Sequence, residues 1–396
     1  MSRLFSTLAA VAVLALVLWW LLTPSLASLD LGPGDELRAC PGAPIFVVRR
    51  GDSWYWLPAG ASQASQAQAL PDDLLDPPAL CADGTLLLHL PGRLLRQAPD
   101  GTRSELTLPA AGSPGALGSA GAGAGATAMG AGAGQASADP TPPRLLGVDP
   151  AGQPVLSQGD PPRLWVAQGE SWLPLIAGDV WASPPADASV LLSGAGPVLA
   201  YRGLAGWEAW SWDAGQVRRV LADACVGQDA VFTPDGAALV VEGRSDGLFR
   251  LDLASGGLAF MSNGNLGASQ RVPFSAAYRG DPLLLNTSQR DREGFLQIFQ
   301  NQLTGGARGS MTSGGLHHYL PAAAPDGRLL AYVQASFDEQ GSDAFEESVY
   351  MLDFEQKLAD EVLRRPGGRL HQGPVFVGRG STLILLAGGR VHAIRP

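Results

Sequence analysis

A Pro-Asp-Gly step followed by a short apolar strand occurs twice in the chain, as TPDGAALVVEG at 233–243 and as APDGRLLAYVQ at 324–334. Looser copies are CADGTLLLHLPG at 81–92, YRGDPLLLNTS at 278–288 and GRGSTLILLAG at 378–388. From Asp235 to Asp281 is 46 residues, and from Asp281 to Asp326 is 45. A repeat of this length is one supersecondary unit that cannot bury its apolar face alone, so the copies must pack side by side.

The rest of the chain consists largely of short apolar runs bounded by Gly, Asp and Pro, such as APIFVVRR, RLWVAQ and TLILLAGG. Regularly spaced runs of this kind indicate an all-β protein, and the repeat length favours a β-propeller. Residues 40–396 contain enough chain for about seven four-stranded blades of roughly 45 residues each, and six or eight blades also fit. We expect the last segment, 373–396, to share a blade with residues 43–58 and so to close the ring.

The residue types of the step explain its structural role. Proline presets φ, the Asp side chain caps its own turn, and Gly takes the positive φ that a tight hairpin needs. The step is therefore a folding device and not a binding site. Two further echoes, GDSWYWLPAG at 51–60 and GESWLPLIAG at 169–178, predict the same turn in two earlier units.

These repeats resemble those of TolB-like propellers, in which Ser-Pro-Asp-Gly is followed by a strand and then by an outer strand that ends Asp-Leu-x-x-Gly. The match is good at 233–257 and 324–353 and looser in several other units. Stand-alone TolB-like proteins are periplasmic, and others form the non-catalytic part of larger proteins. The resemblance therefore implies a propeller of the cell envelope.

The N-terminal segment has Arg3 followed by a nearly unbroken apolar run to Leu22. As a signal peptide it would be cleaved after Ala27, because Ser-Leu-Ala supplies the small residues that precede such sites. As a retained membrane anchor it would use the same run, about 20 residues long, with a Trp pair at the interface. Residues 1–27 are thus assigned to a signal peptide or an anchor helix. The remainder is periplasmic and tethered to the inner membrane, or secreted if the segment is cleaved.

Two further segments differ in composition from the strand-rich body. Residues 28–39 are interpreted as a linker, and the propeller is assigned to residues 40–396. Residues 110–143 are rich in Gly, Ala, Ser and Pro, which cannot bury a core, so they are interpreted as a disordered loop insertion.

Of the three cysteines, Cys40 and Cys81 are favoured as a disulfide pair over any pairing with Cys225.

Several function classes are excluded or disfavoured. A net charge of −10 argues against a nucleic-acid partner, because phosphate contacts need clustered Lys and Arg. The sequence has no H-E-x-x-H and no Walker loop, and its one lysine, Lys357, argues against Schiff-base chemistry. We therefore expect a non-enzymatic protein without a cofactor.

The candidate binding residues lie just upstream of the four C-terminal turns, where the innermost strand of a blade faces the central channel. They are polar pairs at similar offsets: Gln228-Asp229, Gln270-Arg271, His317-His318 and His371-Gln372. Such residues either bind a partner or ligand at the channel mouth or simply solvate the channel. No metal site is predicted, because adjacent histidines on a strand point to opposite faces.

An acidic stretch, SFDEQGSDAFEES at 336–348, is interpreted as a hairpin loop inserted within one blade. It either contacts a basic partner or is a solvated loop. Taken together, the sequence predicts an exported, non-enzymatic propeller that binds or scaffolds an envelope protein. The alternative is a small-ligand receptor or a propeller enzyme that uses polar residues at the channel mouth.

Overall fold

A computed structural model describes the chain from residue 27 onward. The gaps in this range are residues 82, 110–142, 150, 169–170, 186–187, 194, 204–205, 214–215, 223–229, 243–246, 264–275, 280–283, 304–307, 338–343, 367–369, 371–372, 379, 381 and 396. The expectations for the N-terminal apolar segment and for nearly all of the 110–143 insertion therefore concern residues outside the described part.

The first strand, β1 (Ala27–Pro33), is followed by seven sheets that each use four consecutive strands. Blade 1 comprises β2 (Glu36–Ala39), β3 (Ile45–Arg50), β4 (Ser53–Pro58) and β5 (Gln68–Ala69), with a short 3-10 helix at Ala64–Gln66. Blade 2 comprises β6 (Ala79–Leu80), β7 (Leu86–Leu90), β8 (Arg93–Gln97) and β9 (Arg103–Leu106). Blade 3 comprises β10 (Arg144–Val148), β11 (Pro154–Gln158), β12 (Arg163–Gln168) and β13 (Ser171–Pro174), and a hairpin of β14 (Ile176–Ala177) and β15 (Val180–Trp181) follows it.

Four more four-stranded units complete the chain before its last sheet. Blade 4 comprises β16 (Val190–Leu192), β17 (Val198–Arg202), β18 (Trp207–Asp213) and β19 (Gln216–Ala222). Blade 5 comprises β20 (Ala230–Phe232), β21 (Ala238–Glu242), β22 (Gly247–Asp252) and β23 (Leu258–Asn263). Blade 6 comprises β24 (Ala276–Arg279), β25 (Leu284–Arg290), β26 (Leu296–Gln302) and β27 (Arg308–Ser310). Blade 7 comprises β28 (His317–Ala323), β29 (Leu329–Phe337), β30 (Ala344–Asp353) and β31 (Leu358–Pro366). Blade 8 comprises β32 (Val375–Val377), β33 (Thr382–Ala387) and β34 (Arg390–Arg395), with β1 as its outermost strand.

The protein is thus an all-β propeller of eight blades, one of the counts that the sequence left open. The buried apolar side chains of the described residues form eight clusters, and each cluster lies between two neighbouring blades. The cluster between blades 8 and 1 contains Leu31, Phe46 and Ile384, so the ring is closed by apolar packing as well as by strand pairing.

Ring closure differs from the sequence-based expectation in two ways. Residues 28–39 are not a linker, because β1 pairs with β34 and β2 opens blade 1. The last segment shares its blade with β1, and residues 43–58 belong to blade 1 instead. Two glycines of this segment have local roles in the ring. Gly32 takes φ +94°, and at Gly34 a Cβ would lie 2.8 Å from the side chains of Val48 and Val391.

The Pro-Asp-Gly steps form the turn between the first and second strands of their blades, as predicted. In blade 5, Thr233 N–H donates to the Ala238 carbonyl (2.9 Å) and Ala237 N–H donates to Asp235 Oδ1 (3.0 Å). In blade 7, Gly327 takes φ +74° and the Arg328 N–H donates to Asp326 Oδ1 (2.9 Å). The echoes at 51–60 and 169–178 were assigned wrongly to this turn. The Gly51-Asp52 step lies between β3 and β4, the second and third strands of blade 1, and the Ser171-Trp172 pair of the other segment opens β13, the fourth strand of blade 3.

Candidate functional site: the channel and the two faces of the ring

The two faces of the propeller are built differently. One face carries the turns between the first and second strands of each blade, and we call it the turn face. The opposite face, the loop face, carries the connections from one blade to the next. The longest connections of the chain, 107–143, 175–189 and 264–275, are of this inter-blade kind, whereas the Pro-Asp-Gly turns span only a few residues. Long connections on a rigid scaffold are where binding residues usually concentrate.

Two cavities of about 460 and 620 Å³ occupy the central channel. Both are lined by the ends of first strands and by the residues that follow them, near the turn face. The smaller cavity is lined by parts of β2, β6, β10 and β16 and includes Arg38, Asp149 and Ser193. The larger one is lined mainly by apolar residues and prolines of β16, β20, β28 and β32, such as Val231 and Phe232. The described channel wall is therefore more apolar than the sequence suggested.

Cys40 and Cys81 occupy equivalent positions, each directly after the first strand of its blade, and both line the smaller cavity. Both thiols are free. Burial, followed by the charge of the nearby Asp83 carboxylate, raises the pKa of Cys81 to about 12. Burial also raises the pKa of Cys40. The two residues lie together as the sequence suggested, and the disulfide itself is not formed in this structure.

Of the eight predicted channel-mouth residues, the described part of the chain contains His317 and His318. The Leu296 N–H donates to His317 Nδ1 (3.1 Å), and the Phe295 ring lies 5.3 Å from the His317 ring. His318 is buried, with Nε2 3.1 Å from Gln334 Oε1. Both side chains thus contact neighbouring strands, and neither lines the described channel cavities. The other six candidates, Gln228, Asp229, Gln270, Arg271, His371 and Gln372, lie outside the described residues.

The first strand of blade 7 contains a strained residue that sequence reasoning did not identify. Leu320 has φ +52°, a left-handed conformation that is rare for a bulky side chain, and it is fully packed. The β28–β29 pairing slips between Tyr319 and Ala322, so Leu320 and Pro321 form a bulge. The bulge brings Pro321 and Ala322 to the wall of the larger cavity. A Leu-Pro pair inside a strand was its only signal in the sequence.

A buried acid–base pair in blade 2 was also missed. His89 Nδ1 lies 2.6 Å from Asp76 Oδ2, and the same carboxylate oxygen accepts the Leu145 N–H of blade 3 (2.7 Å). His89 is 1% exposed. The Asp76 carboxylate therefore joins two blades, and its contact with Leu145 spans 69 residues of sequence, too many for a spacing motif to reveal it.

Blade 6 buries polar groups where the other blades bury apolar ones. Asn286, Thr287 and Gln289 of β25 and Asn301 of β26 are each 3% exposed or less. Gln289 Nε2 donates to Thr287 Oγ1 (2.7 Å), and Asn301 Nδ2 lies 3.3 Å from the same oxygen. The apolar clusters on the two sides of this blade are accordingly small.

Blade 7 has the longest strands. β29, β30 and β31 contain 9, 10 and 9 residues, whereas no other described strand exceeds seven. The first residue of β28, His317, pairs with Ala335, and the β29–β30 hairpin continues past that point at the loop face. The predicted acidic loop is therefore the end of a projecting hairpin whose tip, residues 338–343, lies outside the described part.

Two searches of the described residues gave negative results. Within that part, no group of three or more His, Cys, Asp and Glu side chains is arranged to hold a metal ion. In the same part of the chain, no helix is long and apolar enough to cross a membrane.

No protein-family model matches the chain, and no curated protein matches it. Solved structures that are similar include TolB from Acinetobacter baumannii, with 15% identity, a TM-score of 0.36 and coverage of 63% of this chain and 62% of that chain. The chain thus aligns with less than two thirds of that TolB. The WD40 domain of SCAP from fission yeast has 9% identity, a TM-score of 0.49 and coverage of 94% and 98%. An oligogalacturonate lyase from Vibrio parahaemolyticus has 13% identity, a TM-score of 0.42 and coverage of 60% and 68%. TolB proteins are thus among the structural neighbours, as the repeats suggested, and at such identities the likeness is one of fold alone.

Proposed function

We propose that this chain is an exported, non-enzymatic β-propeller that binds a protein partner at the cell envelope through its loop face. The observation that carries the proposal is the difference between the two faces. The Pro-Asp-Gly turns on one face are tight, whereas the longest connections of the chain and the projecting hairpin of blade 7 are on the other. A rigid ring with elaborated connections on one side is suited to recognition by a preformed surface.

The chemistry of the hairpin favours a basic partner. Its connecting residues include Asp338, Glu339 and Asp343, and the whole chain has a net charge of −10. A concentrated acidic segment on a projecting element attracts a positively charged surface and accelerates encounter with it. The strength of that attraction should fall as the salt concentration rises.

The location in the envelope is supported by the apolar run from Leu4 to Leu22 with Arg3 before it. Either interpretation of this run, signal peptide or anchor, exports the propeller.

The direct test is co-purification of tagged full-length protein from cross-linked envelopes of the native cell. The test variant D338N/E339Q/D343N neutralises the hairpin tip and leaves the paired strand residues unchanged. A matched control, E105Q/E355Q/D360N, removes the same number of charges at exposed positions away from the hairpin tip. The proposal expects a stoichiometric partner that is retained by the control variant and lost or strongly reduced with the test variant.

Two results would count against the proposal. Equal loss in both variants would show only a general charge effect, and absence of any protein partner would remove the binding role. In the second case a small molecule retained with the protein would favour the alternative of a ligand receptor. The apolar cavity of about 620 Å³ would then be its site, since that volume is typical of small-ligand pockets.

A further inference from the structure

The closing strand joins the folded ring closely to the N-terminal apolar run. β1 begins at Ala27, so the chain enters the folded ring only five residues after Leu22, the last residue of the apolar run. A fully extended chain of that length reaches at most about 18 Å. The twelve-residue linker expected from the sequence, which would have let the ring turn freely, is absent because its residues are built into blades 8 and 1.

The direction of β1 determines which face lies near the apolar run. In blades 1 to 7 the fourth strand runs from the turn face to the loop face, because the first strand of the next blade starts at the loop face. β1 is the fourth strand of blade 8 and leads through Gly34 into β2, so it runs the same way. Ala27 therefore lies at the turn face, and Pro33 lies at the loop face. Six steps of strand separate them by about 20 Å.

We propose that residues 1–22 are retained as an anchor and hold the propeller with its turn face toward the bilayer and its loop face away from it. This orientation rests on the proposed function, because it explains how a tethered ring keeps its partner-binding face accessible. Blade 8 and its neighbour blade 1 lie nearest to the lipid, since the tether joins the rim of the ring at β1. The hairpin of blade 7 points into the aqueous compartment.

The N-terminal tether sets this orientation, and adhesion of the turn face to lipid does not. The turn face carries carboxylates in its tight turns, including Asp100, Asp235 and Asp326. Hydrogen bonds hold the pKa of Asp100 and Asp235 below the ordinary value, so both are ionised at neutral pH. Anionic headgroups repel such a face, and the repulsion is screened within about 8 Å at physiological salt. The order of distances should therefore be the same over neutral and anionic lipid.

The test is energy transfer from a labelled residue to headgroup-labelled lipid, with full-length protein in phosphatidylcholine vesicles and in phosphatidylethanolamine–phosphatidylglycerol vesicles. Two label positions in blade 1 form a matched pair: Ser65→Cys, in the β4–β5 connection at the turn face, and Asp52→Cys, in the β3–β4 turn at the loop face. Both are exposed. Each is made in a C40A/C81A/C225A background whose circular dichroism matches that of the native protein.

The expected result is clearly stronger transfer from position 65 than from position 52 in both lipids. Equal transfer, or stronger transfer from position 52, overturns the orientation. Stronger transfer from position 65 in the anionic vesicles alone also overturns the orientation, because it would indicate adsorption of the protein to the lipid and not tethering. Mass spectrometry of the membrane-bound native protein that finds a new N-terminus at Ser28 also overturns it. None of these results depends on a protein partner, so the proposed binding role is tested separately.

Discussion

The hydroxyl of Tyr319 donates to Oε1 of Glu347 over 2.6 Å, in an interior position where Tyr319 is fully buried and Glu347 is 1% exposed. The other carboxylate oxygen, Oε2, accepts the Leu370 N–H, also at 2.6 Å. One carboxylate therefore joins the first strand of blade 7, the base of its projecting hairpin and the connection to blade 8.

Replacing Glu347 by Ala should lower the free energy of unfolding by about 3 kcal/mol, because it leaves two buried donors without their acceptor. Tyr319→Phe should cost about 2 kcal/mol, since it removes the buried hydroxyl that donates to Glu347 Oε1. Denaturant unfolding measures both values. Glu355→Gln, at a residue whose side chain is 71% exposed, is the control and should change stability by less than about 0.5 kcal/mol. A Glu347→Ala effect as small as that of the control would contradict the assigned role.

The closing strand offers a second test, because a strand and a linker respond differently to truncation. Leu31 is fully buried in the cluster between blades 8 and 1. Leu31→Ala should therefore cost about 2–5 kcal/mol of unfolding free energy. In a linker the same change would have almost no effect.

The adjacent residue provides the control for that experiment. Asp30 forms an exposed ion pair with Arg390, with side chains 42% and 53% exposed. Exposed pairs contribute little, so Asp30→Asn should cost less than about 1 kcal/mol. Equal effects of the Leu31 and Asp30 substitutions would mean that β1 does not bury alternate residues against the ring.

A feature of this fold can be predicted from the sequence when the residues that form it are close together in the chain. Asp235 and Asp326 were identifiable because the turn they form is completed within a few residues. The pairing of β1 with β34 joins residues between 357 and 368 positions apart, and nothing within β1 itself distinguishes it from a Gly- and Pro-containing linker. The blade count depended on this strand, because without it the last segment had too few strands for a blade of its own.

The candidate site was harder to anticipate for a related reason. The residues before each turn were expected to line the channel, but His317 and His318 contact Leu296 and Gln334 on neighbouring strands. The bulge at Leu320 shifts the register of β28, and the residues after it line the cavity. A register shift changes which side chains reach the channel, and it cannot be read from the offset of a motif.

The two histidines make stability depend on pH. Burial lowers the pKa of His318 below its ordinary value of 6.5, and burial followed by the charge of Arg290 does the same for His317. The unfolded chain therefore takes up protons that the folded chain excludes, and stability decreases as the pH falls below about 7. Unfolding free energies measured between pH 7 and pH 5 should show this slope.

The variant that tests the histidine contribution is His318→Gln, which keeps a polar side chain beside Gln334 but does not titrate. Its stability should depend less steeply on pH, by up to about 1.4 kcal/mol per pH unit for one proton. The carboxylates with lowered pKa, such as Asp353, lose their contribution only at lower pH and do not obscure this range. An unchanged slope in the variant would show that His318 titrates normally in the folded protein.

The channel thiols provide a test of the cavity itself. A thiol alkylates as the thiolate, and Cys81, with a pKa raised to about 12, should be almost entirely protonated at pH 8. Iodoacetamide should therefore modify Cys81 slowly in the folded reduced protein and quickly after denaturation, as followed by mass spectrometry of the peptide that contains it. Cys40 should react faster than Cys81, because it is only half-buried. Rapid native modification of Cys81 would mean that the smaller cavity is open to reagent. If instead Cys40 and Cys81 of envelope-isolated protein resist modification after denaturation until a reductant is added, the two equivalent positions are joined by the disulfide that the sequence suggested.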